Sequence, residues 1–562
     1  MTKTSRAADI VVVNGQLHGV GPEAGNATAV AITGEHISAL GDAGMADLVG
    51  PSTRVIDAQG GAVLPGINDG HLHFVESAVS EHGTLSVGSN VAANWDQVAA
   101  ILRDAIPGSD GWIRAHGWDE AVLGHGGPDF IFGLRPDAPL VAYDQTGHQL
   151  LLNETAARLA SLDSWAGGYP DGVVGTFADG RVNGLLVDAA VELAGRVVPA
   201  LGKAEVRQCL IKHQRRLHAL GITSLTEPGL GPGGAGLFGG SSATRSLELL
   251  ADMAVADELS MRINVLLLFS STGGANEQDV RAGLASDLPG SLARRGISEQ
   301  LLRIAGVKVF ADGIPRSGTA WMSEPYETPC GHSHGSMVIA GNTEAEREAE
   351  LNRIIARIHE AGYQAGIHAT GDATTDAALR AIVAAQAKDP RDARHYIIHG
   401  ALRSPETIDT FLKHGVGLST NPNIRAEAGA LMKKILGSAR FDWHQPLASL
   451  LSAGVSTNIA SDAPVTTPDW RETVIAAVTR DTTAGPGAAS DPERVGFAQA
   501  LEMMTFQPAR QDHAEHRKGR LAPGYLADLC ILANPIDRDI RTLRTNPAIH
   551  TISNGTLVHS AT

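Results

Sequence analysis

The stretch AVLPGINDGHLHF, residues 62–74, decides the fold. Its opening, AVLPGIND (62–69), reads as a short buried strand, and just past its end stand His71 and His73. In an extended chain the side chains at i and i+2 share a face, so both imidazoles can reach one ion. Seven further apolar runs follow the same plan: ITSLTEP (222–228), INVLLLF (263–269), RIAGVKVFAD (303–312), YQAGIH (363–368), HYIIHG (395–400), GVGLSTN (415–421) and VSTNIASD (455–462). Helical segments such as EVRQCLIKHQRRLHALG and EREAELNRIIARIHEAG separate them. Strands alternating with helices indicate βαβ units and a parallel sheet. Eight of them predict an α/β fold of the (β/α)8, TIM-like barrel type.

Outward from this centre the pattern changes. The gap between the first two strands is about 150 residues, far beyond a normal crossover, which predicts an insertion over 75–200 on the active-site side. Upstream, ADIVVVNGQLHGV, TAVAITGEHISALGD and STRVIDAQGGAVLPG are short β-branched runs broken by Gly, Asn and Asp turns. Strand signals of that kind return in LAPGYLADLCILA and HTISNGTLVHS near the other end. The simplest arrangement is a β-sandwich built from both termini (1–65 and 506–562) holding a barrel over 66–505.

Composition bounds the function. With 45 Lys and Arg against 61 Asp and Glu, the net charge is −16, which disfavours a phosphate-tracking nucleic-acid binder. Hydrophobic residues make up 43% and charged residues 19%, a globular balance. Three cysteines, Cys209, Cys330 and Cys530, cannot build a disulfide scaffold and suit a reducing compartment. Cys209 and Cys530 read as buried hydrophobes. The first apolar run is too short for a signal-peptide core, and no stretch is long enough for a membrane span. A cytoplasmic protein acting on a small molecule, without nucleic-acid or membrane partners, is expected.

Function in a barrel sits at the carboxyl ends of its strands. There the chain places His71 and His73 after strand one, Lys308 in strand four, His368 in five, His399 in six and Asp462 after eight. Singly, each has a bland reading: a satisfied core histidine, a lysine paired to a carboxylate, or an Asp that caps a helix. Six suitable residues at five strand ends argue for a metal centre instead.

These residues and their surroundings resemble the amidohydrolase superfamily, and within it the YtcJ-like group that includes N-substituted formamide deformylases. The resemblance runs through VLPGINDGHLH, LGITSLTEPG, GVKVFADG with SGTAWMSEPY, IHATGDATTDAAL, RHYIIHG, ASDAPV and KGRLAPGYLADLCIL. It implies that His71 and His73 bind a first divalent metal and His368 and His399 a second. Lys308, carboxylated on its amine to a carbamate, would bridge the two, and Asp462 would join the first. Zinc is favoured for such imidazole and carboxylate ligands, with manganese, cobalt and iron also compatible. Asp462 would be the catalytic acid–base, moving a proton from the metal-bound hydroxide's water to the leaving nitrogen. The group often carries IEH near the sixth strand, where this chain has IIHG (397–400).

The implied activity is hydrolysis of a non-peptide C–N bond, in an N-substituted amide or formamide. A cyclic-amide hydrolase or deaminase of the same superfamily is the alternative reading. A non-catalytic interaction protein should lack several ligands, and none is missing. His148, in TGHQLLLN, resembles the family's active-site asparagine segment and is a candidate substrate contact. Trp118, Trp321 and Tyr326 are candidates to line an apolar pocket. The loop PCGHSHG (329–335), with Cys330, His332 and His334, reads either as a ligand cluster or as a glycine-rich cover over the barrel mouth. A homodimer is expected from the family's habit.

Overall fold

The computed structural model describes residues 7–21, 26–145, 147–166, 168–169, 172–234, 243–327, 334–402 and 407–561. Eight parallel strands form its centre: β1 (Ile67–Asp69), β2 (Ile222–Leu230), β3 (Arg262–Leu267), β4 (Leu302–Phe310), β5 (Gln364–Ala369), β6 (Tyr396–His399), β7 (Gly417–Thr420) and β8 (Thr457–Ile459). They pair in sequence order from β1 to β8, each with the next, so the parallel barrel expected from the sequence is present. Most strand positions are buried on both faces, as helices on the outside and packed side chains within require.

Among the described residues no regular ladder joins β8 to β1, and the barrel is nearly closed. The seam is bridged at its carboxyl end instead. The Asp462 N–H donates to the His71 carbonyl at 2.9 Å, and the His73 N–H to the Ala463 carbonyl at 2.9 Å. The Ser461 N–H donates to the buried Asp69 carboxylate at 3.2 Å. Backbone passes so close to Asn458 at Gly70 that any Cβ there would collide with its side-chain amide. The bonds that close the barrel therefore also fix the residues that follow β1 and β8.

Residues 62–69 are not one strand. Ala62–Pro65 pairs antiparallel with Leu529–Leu532, and only Ile67–Asp69 enters the barrel. Pro65 has no N–H with which to continue a ladder, and a Cβ at Gly66 would strike Thr223, so the chain changes sheet there. Around this crossing lies a two-sheet sandwich from both ends of the chain. One sheet is ordered His36–Gly41, Ala29–Thr33, Ile10–Val13 and Arg54–Asp57. The other is ordered Gln16–Leu17, Ala62–Pro65, Leu529–Leu532, Ala548–Ser553 and Thr556–Ser560. Val12, Val30, Ile32 and Ile56 from the first pack on Val63, Leu529, Ile531 and Ile552 from the second.

The long connection after β1 folds into its own six-stranded sheet, from Leu85–Ser86 to Val182–Asp188, with a separate hydrophobic core on each face. Arg262 at the start of β3 ties barrel to sandwich: its guanidinium pairs with the buried Asp528 carboxylate at 2.7 Å. Among the described residues no helix is long and apolar enough to cross a membrane.

Candidate metal centre

His71 and His73 occupy an extended loop pinned on both sides. The Leu72 N–H donates to Thr226 of β2, the His73 N–H reaches across the seam to Ala463, and the His71 N–H donates to Asp69. This spacing aims both imidazoles at Asp462. His71 Nε2 lies 3.2 Å and His73 Nε2 3.5 Å from its Oδ1, while His399 Nδ1 is 3.9 Å from its Oδ2. The His71 and His399 rings are 5.3 Å apart, and His399 stands 4.7 Å from His368. All six sequence candidates are buried, from His71 at 1% exposed to His73 at 8%.

Two of these residues hold left-handed backbone, His399 at φ 68° and Asp462 at φ 58°. For residues with a Cβ this costs on the order of 1–3 kcal/mol, and such strain gathers at functional sites. Asp462 caps no helix. The next helix, Trp470–Thr479, starts eight residues later and is capped by Asp469, whose side chain accepts from the Arg471 N–H. The helix-cap reading of the SD pair therefore fails.

Electrostatics set the protonation states. Burial alone would push the Asp462 carboxyl up, but His399, His71 and His73 override it and hold the acid well below its usual range. His71 and His368 are pushed well below the ordinary histidine value, chiefly by burial, so their rings are neutral at pH 7. Lys308 is 2% exposed and makes no ion pair or hydrogen bond among the described residues; its Nζ sits 4.6 Å from the Phe310 ring centroid. Burial lowers its pKa to about 7, so a large fraction is neutral amine at physiological pH. Only the neutral amine can take up carbon dioxide.

Whether a metal fits can be judged from these groups. His71 Nδ1 is buried without a hydrogen-bond partner, and its buried Nε2 faces only the Asp462 carboxylate, without a well-formed hydrogen bond. Such orphaned atoms are costly unless something absent from a bare chain satisfies them. His71, His73 and Asp462 bring three ligand atoms within 4.8 Å of one another. Neutral imidazoles, an ionised carboxylate and an unpaired lysine suit a divalent cation.

Several supporting groups were not legible beforehand. Asn421, just past β7, accepts at 2.7 Å from His399 Nδ1 and donates to Ala460, which orients that ring. Asp312, two residues beyond β4, accepts from the Thr370 and Gly371 N–H groups at 3.0 and 2.8 Å and so shapes the loop after His368. Behind His73 lie two buried carboxyls, Glu76 and Glu227, the latter accepting from the Val75 N–H. The strand-end positions of Asn421, Asp312 and Glu227 were the available signal.

A cavity of about 730 Å³ opens above the centre, with His73, Lys308, His368, His399 and Asp462 on its wall. His148 lines it too. Of the three aromatic candidates, none is among the described residues lining it. Trp118 is buried in the insertion core against Trp95, its indole N–H donating to Ala142. Tyr326 is buried beside Met322 and Met432, its hydroxyl donating to Ala320. Trp321 is half-buried against the main core and its amide is held by Asp312. Each polar handle of Trp118 and Tyr326 is already satisfied internally, so these rings serve packing. Cys209 and Cys530 are buried free thiols. Cys330 and His332 lie outside the described residues, while His334 is described, with its Nδ1 3.1 Å from the Met322 carbonyl oxygen.

A family model described as Amidohydrolase family matches residues 54–559. The chain belongs to the amidohydrolase family. It is similar to Protein LONG AFTER FAR-RED 3 of Arabidopsis thaliana, 26% identical over 94% of this chain and 87% of the plant protein. It is also 23% identical to N-substituted formamide deformylase of Arthrobacter pascens, over 99% of both chains. Among solved structures, an uncharacterized metal-dependent hydrolase from Pyrococcus furiosus superposes with a TM-score of 0.69 at 22% identity, covering 94% of this chain and 99% of that one. That likeness is one of fold.

Proposed function

We propose that this amidohydrolase is a metal-dependent hydrolase of a non-peptide C–N bond, acting on an N-substituted amide or formamide. The observation that carries the reading is Asp462 within 4 Å of three imidazoles, beside a buried lysine that makes no ion pair or hydrogen bond among the described residues. His71, His73 and Asp462 would hold one ion, and His368 and His399 a second. Lys308 would join them as a carbamate, its neutral amine adding carbon dioxide with loss of one proton. Divalent metal, zinc by the donor set, lowers the pKa of water towards neutrality and polarises a carbonyl.

The chain's own residues do the rest. Asp462 is held ionised by its three histidines, so it can accept the proton of the attacking water. It then returns that proton to the departing nitrogen, so that amide and water give acid and amine. Asn421 keeps the His399 ring turned to the centre, and Asp69 keeps the loops bearing His71 and Asp462 in register. His148, on the cavity wall, would contact the substrate carbonyl region. Similarity to the formamide deformylase, low in identity but spanning the full length, favours formyl or small acyl groups.

A hydrolysis screen of the metal-loaded protein on N-alkylformamides, N-acyl amines, N-acyl amino acids, carbamates and cyclic amides tests this. Turnover concentrated on formamides or simple amides supports the reading, and turnover confined to cyclic amides or to none of the panel contradicts it.

A further inference from the structure

Resting on that reading, we infer that the leaving amine carries a second, positively charged amino group, bound by Glu427 at the outer wall of the cavity. Glu427 belongs to the helix Pro422–Asp442, which follows β7. Ile424, Glu427, Ala428 and Leu431 are spaced i, i+3, i+4 and i+7, so they share one helix face, and all four line the cavity. That face is an apolar stripe with a single carboxylate set in it.

Among the described residues no cation hydrogen-bonds or ion-pairs with this carboxylate, and Arg316 acts on it only through its charge. Beyond the lysine and aspartate of the centre, the charged residues on the described cavity wall are Asp119, Arg316 and Glu427. Arg316 is already ion-paired with Asp119. Two carboxylates against one guanidinium leave one carboxylate in excess. Among the described residues the Glu427 carboxylate is hydrogen-bonded only by neutral amides: Gln145 Nε2 at 3.5 Å and Asn423 Nδ2 at 3.4 Å, both at the long end for hydrogen bonds. Although the side chain is open to solvent, the surrounding protein and the Asp119 charge raise its carboxyl to about 7, against lowering by the Gln145 contact and the Arg316 charge.

Position sets the length of the ligand. Asn421, which holds His399, and Glu427 are six residues apart, about 9 Å along a helix axis. Gln145 links the same carboxylate to the loop after Asp462, donating to the Val465 carbonyl at 3.0 Å. An amide carbonyl at the centre and an ammonium at Glu427 would then be joined by a chain of roughly five methylenes, about 1.3 Å each when extended, lying on Ile424 and Leu431. A substrate ending in a carboxylate would meet like charge there.

The test compares three formamides with the same five-methylene spacer on the metal-loaded enzyme: N-(5-aminopentyl)formamide, N-hexylformamide and N-formyl-6-aminohexanoate. The expected order of kcat/KM is cationic, neutral, anionic, with the first two separated by about tenfold or more, the scale of a charge-assisted hydrogen bond. In Glu427→Gln the cationic-to-neutral ratio should collapse towards one. A wild-type preference for the neutral or anionic compound, or a ratio untouched in Glu427→Gln, overturns the inference. Calorimetric binding of hexylammonium against hexanol to the wild-type holoenzyme reads the subsite without turnover. If no formamide is cleaved but the ammonium binds tighter by about tenfold, the subsite stands and the amide reading falls; equal binding of the two rejects the subsite.

Discussion

Replacing Asp462 with Asn separates catalysis from architecture. The two carboxylate oxygens reach His71 at 3.2 Å, His73 at 3.5 Å and His399 at 3.9 Å, and the side chain is buried. Asn keeps the shape and one ligand oxygen but cannot accept a proton. A positioned acid–base group contributes about 10²–10⁴ in rate, or roughly 2.7–5.5 kcal/mol at about 1.36 kcal/mol per decade. Turnover on the best compound of the hydrolysis screen should fall by that factor while bound metal falls only modestly. Because Asp462 caps no helix, the variant should not show the stability loss of a missing cap. Asp469→Ala is the control, since Asp469 does cap Trp470–Thr479. It should cost about 0.5–2 kcal/mol in urea unfolding with turnover nearly intact. Steady-state kinetics, metal analysis and urea titration on both variants decide the matter. Near-normal turnover of Asp462→Asn with full metal would refute the proton-transfer role.

Other perturbations probe the same account. Lys308→Ala should lose both metal and activity, with partial recovery in added short carboxylic acids; an active alanine variant would remove the lysine from the centre. Asn421→Ala deletes the 2.7 Å contact to His399 and should weaken metal binding about 10–100-fold in a competition titration, with the fold intact by circular dichroism; unchanged affinity would show that His399 needs no such support. Arg262→Met leaves Asp528 buried without its guanidinium and should destabilise the protein by about 3–5 kcal/mol in urea; a loss below about 1 kcal/mol would mean that the barrel–sandwich tie is dispensable.

The eight barrel strands were legible because each is a short apolar run ending in a polar residue, a local pattern that survives folding. Residues 62–69 misled because Ala62–Pro65 and Ile67–Asp69 are equally apolar; only the Pro65–Gly66 pair hints that they serve different sheets. The convergence of His71, His73, His368, His399, Lys308 and Asp462 on one mouth followed from topology alone, since every parallel strand of a barrel presents the same end. Asn421 was missed because a strand-end Asn looks like a turn residue, and its partner His399 lies 22 residues away. Trp118 and Tyr326 pack away from the cavity wall, since where an aromatic settles depends on where its N–H or O–H finds an acceptor. Those acceptors, Ala142 and Ala320, are backbone carbonyls that no side-chain pattern reveals.

The most direct test of the central claim is metal stoichiometry coupled to activity: strip the wild-type chain with a chelator, titrate zinc back, and follow bound metal and hydrolysis together. The account predicts that activity vanishes on stripping and returns as roughly two ions bind per chain, the number expected for a two-metal site. Hydrolysis that persists in the stripped chain, or saturating zinc that binds without His71 and His73 when both are replaced by alanine, would contradict it.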